Sequence, residues 1–133
     1  MFAFTRIDDK AITDRSEVVS CDCAVVLDDT LFGDGVKKGL KPGATVIINT
    51  TKDKSQFAID GVQVVTVDAT GLALEILGRP ITNVPLLGAL IAATGITSVS
   101  AVEAAIDDQL APKLREKNKK LLNKTYEIVK EAL

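Results

Sequence analysis

Three short apolar runs, each without alternation and each closed by a polar cluster, constrain this chain more than any other feature. They are Cys23-Ala-Val-Val-Leu27, Ala44 to Ile48 and Val62 to Val67. Runs of this length that lack a two-residue period fit strands buried on both faces, the condition of a parallel sheet covered by helices. The core such strands imply is aliphatic: 47% of the residues are apolar but only 4% are aromatic, with no Trp and one Tyr. The chain has 133 residues, enough for one continuous core, and it is read as a single domain over 1–133.

Around these runs the remaining elements follow from local signals. Phe2 to Ile7 and Ala11 to Arg15 flank Asp8-Asp9-Lys10, which predicts an N-terminal β-hairpin. Thr30 to Leu40 is a weak helix or turn segment interrupted by Gly33, Gly35 and Gly39, and Pro42-Gly43 signals a turn. Lys52 to Asp60 reads as a surface loop. From residue 70 the period becomes helical. Leu72, Ala73, Ile76 and Leu77 share a face, and Gly78 and Pro80 stop that helix. Asn83 is placed to cap a following helix with Pro85 in its first turn and a stripe of Leu86, Leu87, Leu90 and Ile91. Gly88 inside that helix costs about 1 kcal/mol against Ala, which points to a close backbone approach. Ser100 and Glu103 form a capping box, and Pro112 opens a last helix. Its expected apolar face is Leu114, Leu121, Thr125, Ile128 and Ala132, opposite Lys117, Lys120, Lys124 and Lys130. The fold class is therefore α/β: a Rossmann-like three-layer domain with a mostly parallel sheet, an N-terminal hairpin and a helical C-terminal half.

Charge and reactive groups narrow the chemistry. The net charge is -2, so the molecule as a whole does not attract nucleic acid or membrane. Residues 1–31 carry seven acids against three bases, and residues 110–133 carry seven bases against three acids. A basic last helix can meet an acidic partner, though a solvated face is the commoner meaning of such a run. There is no histidine, and the two cysteines, Cys21 and Cys23, are too few for a zinc or iron–sulfur centre. Their use as small strand residues suits a reducing, intracellular compartment. The segment Gly33-Asp34-Gly35-Val36-Lys37-Lys38-Gly39 places its third glycine one residue late for a dinucleotide turn, and acids precede it.

In an open parallel sheet, ligands collect beyond the carboxyl ends of the strands. Here those ends read Asp28-Asp29-Thr30, Asn49-Thr50-Thr51 and Asp68-Ala69-Thr70. Asp, Asn and Thr there can hold a polar ligand or a hydrated Mg²⁺, or simply cap the next element. No residue pattern supplies a stand-alone redox or hydrolytic site.

Several segments together resemble the gamma subunit of pyruvate and related 2-oxoacid:ferredoxin oxidoreductases. They are Phe4-Thr-Arg-Ile-Asp-Asp-Lys-Ala-Ile12 with Arg15-Ser16, then Ile47-Ile48-Asn49-Thr50 and Val67-Asp68-Ala69-Thr70. Asn83-Val-Pro-Leu-Leu-Gly-Ala89, then Ala93-Thr94-Gly95 and the tail near Tyr126-Glu127, complete the series. The resemblance implies a non-catalytic structural or interface subunit. The complex it implies oxidatively decarboxylates a 2-oxoacid with coenzyme A to acyl-CoA, CO₂ and reduced ferredoxin. Its implied partners are alpha, beta and ferredoxin-like delta subunits in the cytoplasm. Thiamine diphosphate, Mg²⁺ and iron–sulfur clusters belong to those partners, and this chain alone binds none. Asn49, Asp68, Thr70, Asn83 and Gly88 are the family-like positions, implied as interface or ligand-proximal residues. Family members open with a strand, a Gly-x-Gly-Gly-x-Gly turn and a helix, which this sequence does not show. The resemblance thus implies a gamma-type domain truncated at its N-terminus. A free nucleotide- or CoA-binding module is the alternative reading.

Overall fold

A computed structural model describes residues 2–133. The three apolar runs form one sheet of β1 (Cys21–Val26), β2 (Leu40–Asn49) and β3 (Gln63–Val67). Neighbours are parallel in the order β1-β2-β3, with Val25, Ile47 and Val65 in one row. Between strands lie a 3₁₀ turn (Asp29–Leu31), α1 (Asp34–Lys38) and a second 3₁₀ turn (Lys54–Phe57). The second half is helical: α2 (Ala69–Leu77), α3 (Asn83–Thr94), α4 (Val99–Gln109) and α5 (Pro112–Ala132).

The strand pleat divides the core into two layers. Ile47, Val65 and Val67 point to a helical layer that meets them with Leu86, Ala89 and Ala92 of α3 and Val129 of α5. Val26, Val46 and Ile48 point the other way, onto Phe57, Phe32 and Val36 from the connecting segments. Burial of β2 on both faces is complete at Val46, Ile47 and Ile48. A third cluster, Ile91, Val102, Ile106 and Leu122, binds α4 to the outside of α3 and α5.

The α3–α5 contact depends on Gly88. A Cβ at this position would stand 2.8 Å from the Leu122 carbonyl oxygen and 3.4 Å from the Thr125 Cβ. Only a residue without that carbon lets the two helices approach so closely. Thr125, fully buried on the facing side, donates its hydroxyl hydrogen bond to the Leu121 carbonyl at 2.9 Å and so leaves no unpaired polar atom there.

Several expectations are corrected. The N-terminal hairpin does not form: residues 2–20 carry no strand. The chain does reverse there, because Arg6 reaches Asp14 at 3.5 Å and the Ser16 and Glu17 carbonyls at 3.3 Å. Without a third strand or a helix to cover it, such a pair has too little apolar contact to hold a ladder. Pro42-Gly43 is not a free turn but lies inside β2, at the irregularity where Cys21 pairs Leu40 and Cys23 already pairs Thr45. Gly43 takes φ +80° there, and its N–H reaches the Gly61 carbonyl at 2.7 Å. Asn83 is the first residue of α3 rather than its cap; Thr82 holds the cap position, without a side-chain bond. For α4 the cap is Ser98, whose hydroxyl accepts from the Ala101 N–H, so Ser100 lies within the helix. The buried face of α5 is Asn118, Leu121, Leu122, Thr125 and Val129, whereas Leu114, Ile128 and Ala132 are exposed.

Gly88→Ala is expected to destabilise the chain by about 1–3 kcal/mol, the cost of forcing a methyl group into a filled contact. Urea denaturation of the purified chain measures it. Unchanged stability would show that α3 and α5 can separate freely.

Candidate functional site at the polar edge of the sheet

The three strands end on one edge, and their polar residues meet there. Asn49, the last residue of β2, is the centre. Its side-chain nitrogen donates to the Leu27 carbonyl at 3.0 Å and to the Thr70 hydroxyl at 2.9 Å. Its side-chain oxygen accepts from the N–H groups of Ala69 at 3.0 Å and Thr70 at 3.3 Å. An amide offers two donors and a two-fold acceptor, and all are engaged within the chain. Asn49 thereby ties the end of β1, the end of β2 and the first turn of α2 into one unit.

Its neighbours are similarly occupied. Thr50 is buried; it donates to Asp29 at 2.7 Å and accepts from the Lys52 N–H at 3.0 Å. Lys52 lies 3.9 Å from the same Asp29 oxygen. Asp28 accepts from the Thr30 N–H at 3.1 Å, and Asp68 caps α2 by accepting from the Gly71 N–H at 2.9 Å. Beside them an open groove of ≈ 580 Å³ runs past Thr50, Thr51, Lys52, Asp68, Gly71 and Glu75. Among the described residues, no three His, Cys, Asp or Glu side chains gather as metal ligands would.

Of the family-like positions, the structure brings Asn49, Asp68 and Thr70 together and leaves two elsewhere. Asn83 is exposed at the start of α3, and Gly88 is buried against α5. The Thr50–Asp29 link went unread in the sequence. The Asn49-Thr50-Thr51 cluster was its only local signal, since the partners lie 21 residues apart. The cysteines flank Asp22 at the start of β1. Burial, then the charges of Cys21 and Asp22, pushes the Cys23 thiol up to about 11. Burial, then Asp22, also raises Cys21. Both are thereby kept as thiols at neutral pH, the opposite of an activated nucleophile. The edge as built holds backbone elements in place, and its hydroxyl–carboxylate pair, Thr50 with Asp29, is drawn into that framework by the Lys52 N–H and ammonium.

Comparison with known proteins assigns these features to a family. The family model for pyruvate ferredoxin/flavodoxin oxidoreductase matches residues 1–128. The pyruvate synthase subunit PorC of Methanocaldococcus jannaschii is 44% identical over 127 residues, which cover 95% of this chain and 70% of that protein. The common subunit gamma of the pyruvate/ketoisovalerate oxidoreductases of Thermococcus litoralis is 44% identical over 130 residues, 94% of this chain and 70% of that protein. Among solved structures, pyruvate oxidoreductase subunit PORC of Thermotoga maritima superposes with a TM-score of 0.74 at 35% identity. The gamma subunit of the Geobacter sulfurreducens keto/oxoacid ferredoxin oxidoreductase shares the fold, with a TM-score of 0.66 at 24% identity. The matches cover 83% and 85% of this chain, and 64% and 66% of those two chains, just under two thirds of each.

Asn49→Leu, similar in size but without hydrogen bonds, is expected to cost roughly 2–4 kcal/mol, because it strands the Ala69 and Thr70 N–H groups. Thr50→Val should cost about 1 kcal/mol. Paired urea titrations distinguish the two, and equal losses would contradict the central place of Asn49. Iodoacetamide should alkylate Cys23 at pH 8 at least tenfold more slowly than an ordinary cysteine with a pKa of about 8.5. Because only the thiolate reacts, the rate should climb with pH until near the raised value of about 11. A plateau below pH 9 would contradict it.

Proposed function

The chain belongs to the pyruvate ferredoxin/flavodoxin oxidoreductase family, of gamma-subunit type, and from that premise we propose that it is a non-catalytic assembly subunit. The complex it serves oxidatively decarboxylates a 2-oxoacid with coenzyme A, yielding acyl-CoA, CO₂ and reduced ferredoxin. Its partners are alpha, beta and ferredoxin-like delta subunits, and we place the assembly in the cytoplasm. No helix among the described residues is long and apolar enough to cross a membrane.

The observation that carries this reading is the internal commitment of the polar edge. Where an α/β sheet would receive a ligand, the central amide of Asn49 is spent on four internal hydrogen bonds, and Asp68 caps α2 beside it. The groups the complex needs do not fit this chain. An iron–sulfur cluster takes four thiolates, and the two cysteines here are held as thiols. A diphosphate with its Mg²⁺ is held by several converging oxygen ligands, and among the described residues no three acidic, His or Cys side chains gather. A free CoA- or nucleotide-binding module would have to use the open groove past Thr51, Lys52 and Glu75 rather than the committed amide of Asn49.

Of the family-like positions, we assign partner contact to the exposed Asp68 and Asn83. Asn49, Thr70 and Gly88 position the elements that present them. Substrate choice lies elsewhere in the complex. The Thermococcus litoralis relative is common to pyruvate and ketoisovalerate oxidoreductases, and a subunit shared by two such enzymes cannot be what distinguishes their substrates.

Affinity purification of this chain from its native host is expected to recover subunits with thiamine-diphosphate and cluster motifs in fixed ratio. The recovered complex should reduce ferredoxin in the presence of 2-oxoacid and coenzyme A, and the isolated chain should not. Recovery of the chain alone, or full activity after its removal, would refute the assignment.

A further inference from the structure

One side of α5 breaks the local rules for charge on a helix. Lys113, Lys117, Lys120 and Lys124 are all exposed and follow one another at helical intervals. At that spacing they form a single row, about 16 Å long and about 60° wide on the helix surface. Like charges three or four residues apart repel, so each step along the row costs helix stability. The first turn of α5 carries no acid, where the helix dipole favours one, and holds Lys113 instead. Nothing within the chain offsets this. Among the described residues, ion pairs are made by Arg6, Lys41, Lys52 and Lys119 and by none of the four. Apolar residues stand along one margin of the row, near its two ends. Leu114 is 44% exposed and Ile128 is 38% exposed, although the residue pattern of α5 places both on the buried face.

We propose that this row is the docking surface for an acidic helix of a partner subunit. Carboxylates about one turn (~5.4 Å) apart on that helix face the lysines, and its apolar residues meet Leu114 and Ile128. A polyphosphate fits the surface less well, because Glu116, Glu127 and Glu131 border the row and the net charge of the chain is -2. A second copy also fits less well. The acid-rich stretch 1–31 would have to serve, and there Asp14, Asp22 and Asp29 are already paired with Arg6, Lys41 and Lys52.

Such docking rests on the assembly role proposed above and adds a second surface to it, apart from Asp68 and Asn83. Its contacts join exposed charges, which salt screens over about 10 Å at 0.1 M ionic strength, so association through this face weakens as salt rises.

The test uses the complex recovered from the native host through a tagged copy of this chain. A carbodiimide joins an amine to a carboxylate only where the two touch. It should link Lys117, Lys120 or Lys124 to Asp or Glu residues of another subunit, located by mass spectrometry. Reassociation of this chain with the remaining subunits should weaken at least tenfold for K117E/K120E/K124E, and its salt dependence should flatten for K117Q/K120Q/K124Q. The matched reversal K38E/K54E/R79E, at exposed positions elsewhere, should leave it within about twofold. An assembled complex without those crosslinks, or with them only between two copies of this chain, would overturn the proposal. So would equal weakening by the two reversals, or release of the partner by nuclease. Recovery of the chain alone would refute the assembly role itself, and this docking with it.

Discussion

The structure depends on the burial of β2 on both faces. Val46 and Ile48 sit on one side and Ile47 on the other, all without solvent contact. A strand so placed cannot exist without two layers of cover, and those layers hold most of the remaining core. The connecting segments supply one layer through Phe32, Val36 and Phe57, and α3 with α5 supplies the other. The two helices meet closely enough to form that layer only because position 88 is glycine.

The edge where β2 ends inherits this constraint. A strand buried to its last turn delivers Asn49 to a place where backbone groups of β1 and α2 also terminate. There the energetically favourable use of an amide is to satisfy them. Asn49, at the edge where many α/β proteins bind ligands, is thereby spent on holding the fold together. Under the proposed assembly role, this is the form a division of labour would take, with shape supplied by this subunit.

Much of the fold was legible because burial on both faces leaves a local mark. The three apolar runs, the helix stop at Gly78 and the helix start at Pro112 were all read from neighbouring residues. What was misread depended on distant contacts. The 2–20 segment has the residue pattern of a hairpin, but a pattern does not make a ladder where no other layer packs on it. On α5, periodicity places Ile128 with Leu121 and Thr125, whereas the packed helix buries Leu122 and Val129 beside them, with the Leu122 carbonyl against Gly88. Ser98 and Ser100 are equally good caps, and the chain path decides between them. At the polar edge, the strand-end cluster signalled capping in general, while the partners of Asn49, 20 to 22 residues away, had no local signal.

The central claim is that this subunit contributes shape and no reacting group. Its most direct test is kcat per assembled complex when Asp28, Asp68, Cys21 and Cys23 are replaced together by Asn, Asn, Ser and Ser. Assembly is quantified separately by native mass spectrometry. The account requires that kcat per complex stay within about twofold of the parent even if less complex forms, since removing a group that acts in catalysis typically costs 10²-fold or more. A normally assembled complex whose kcat falls by that margin would contradict it.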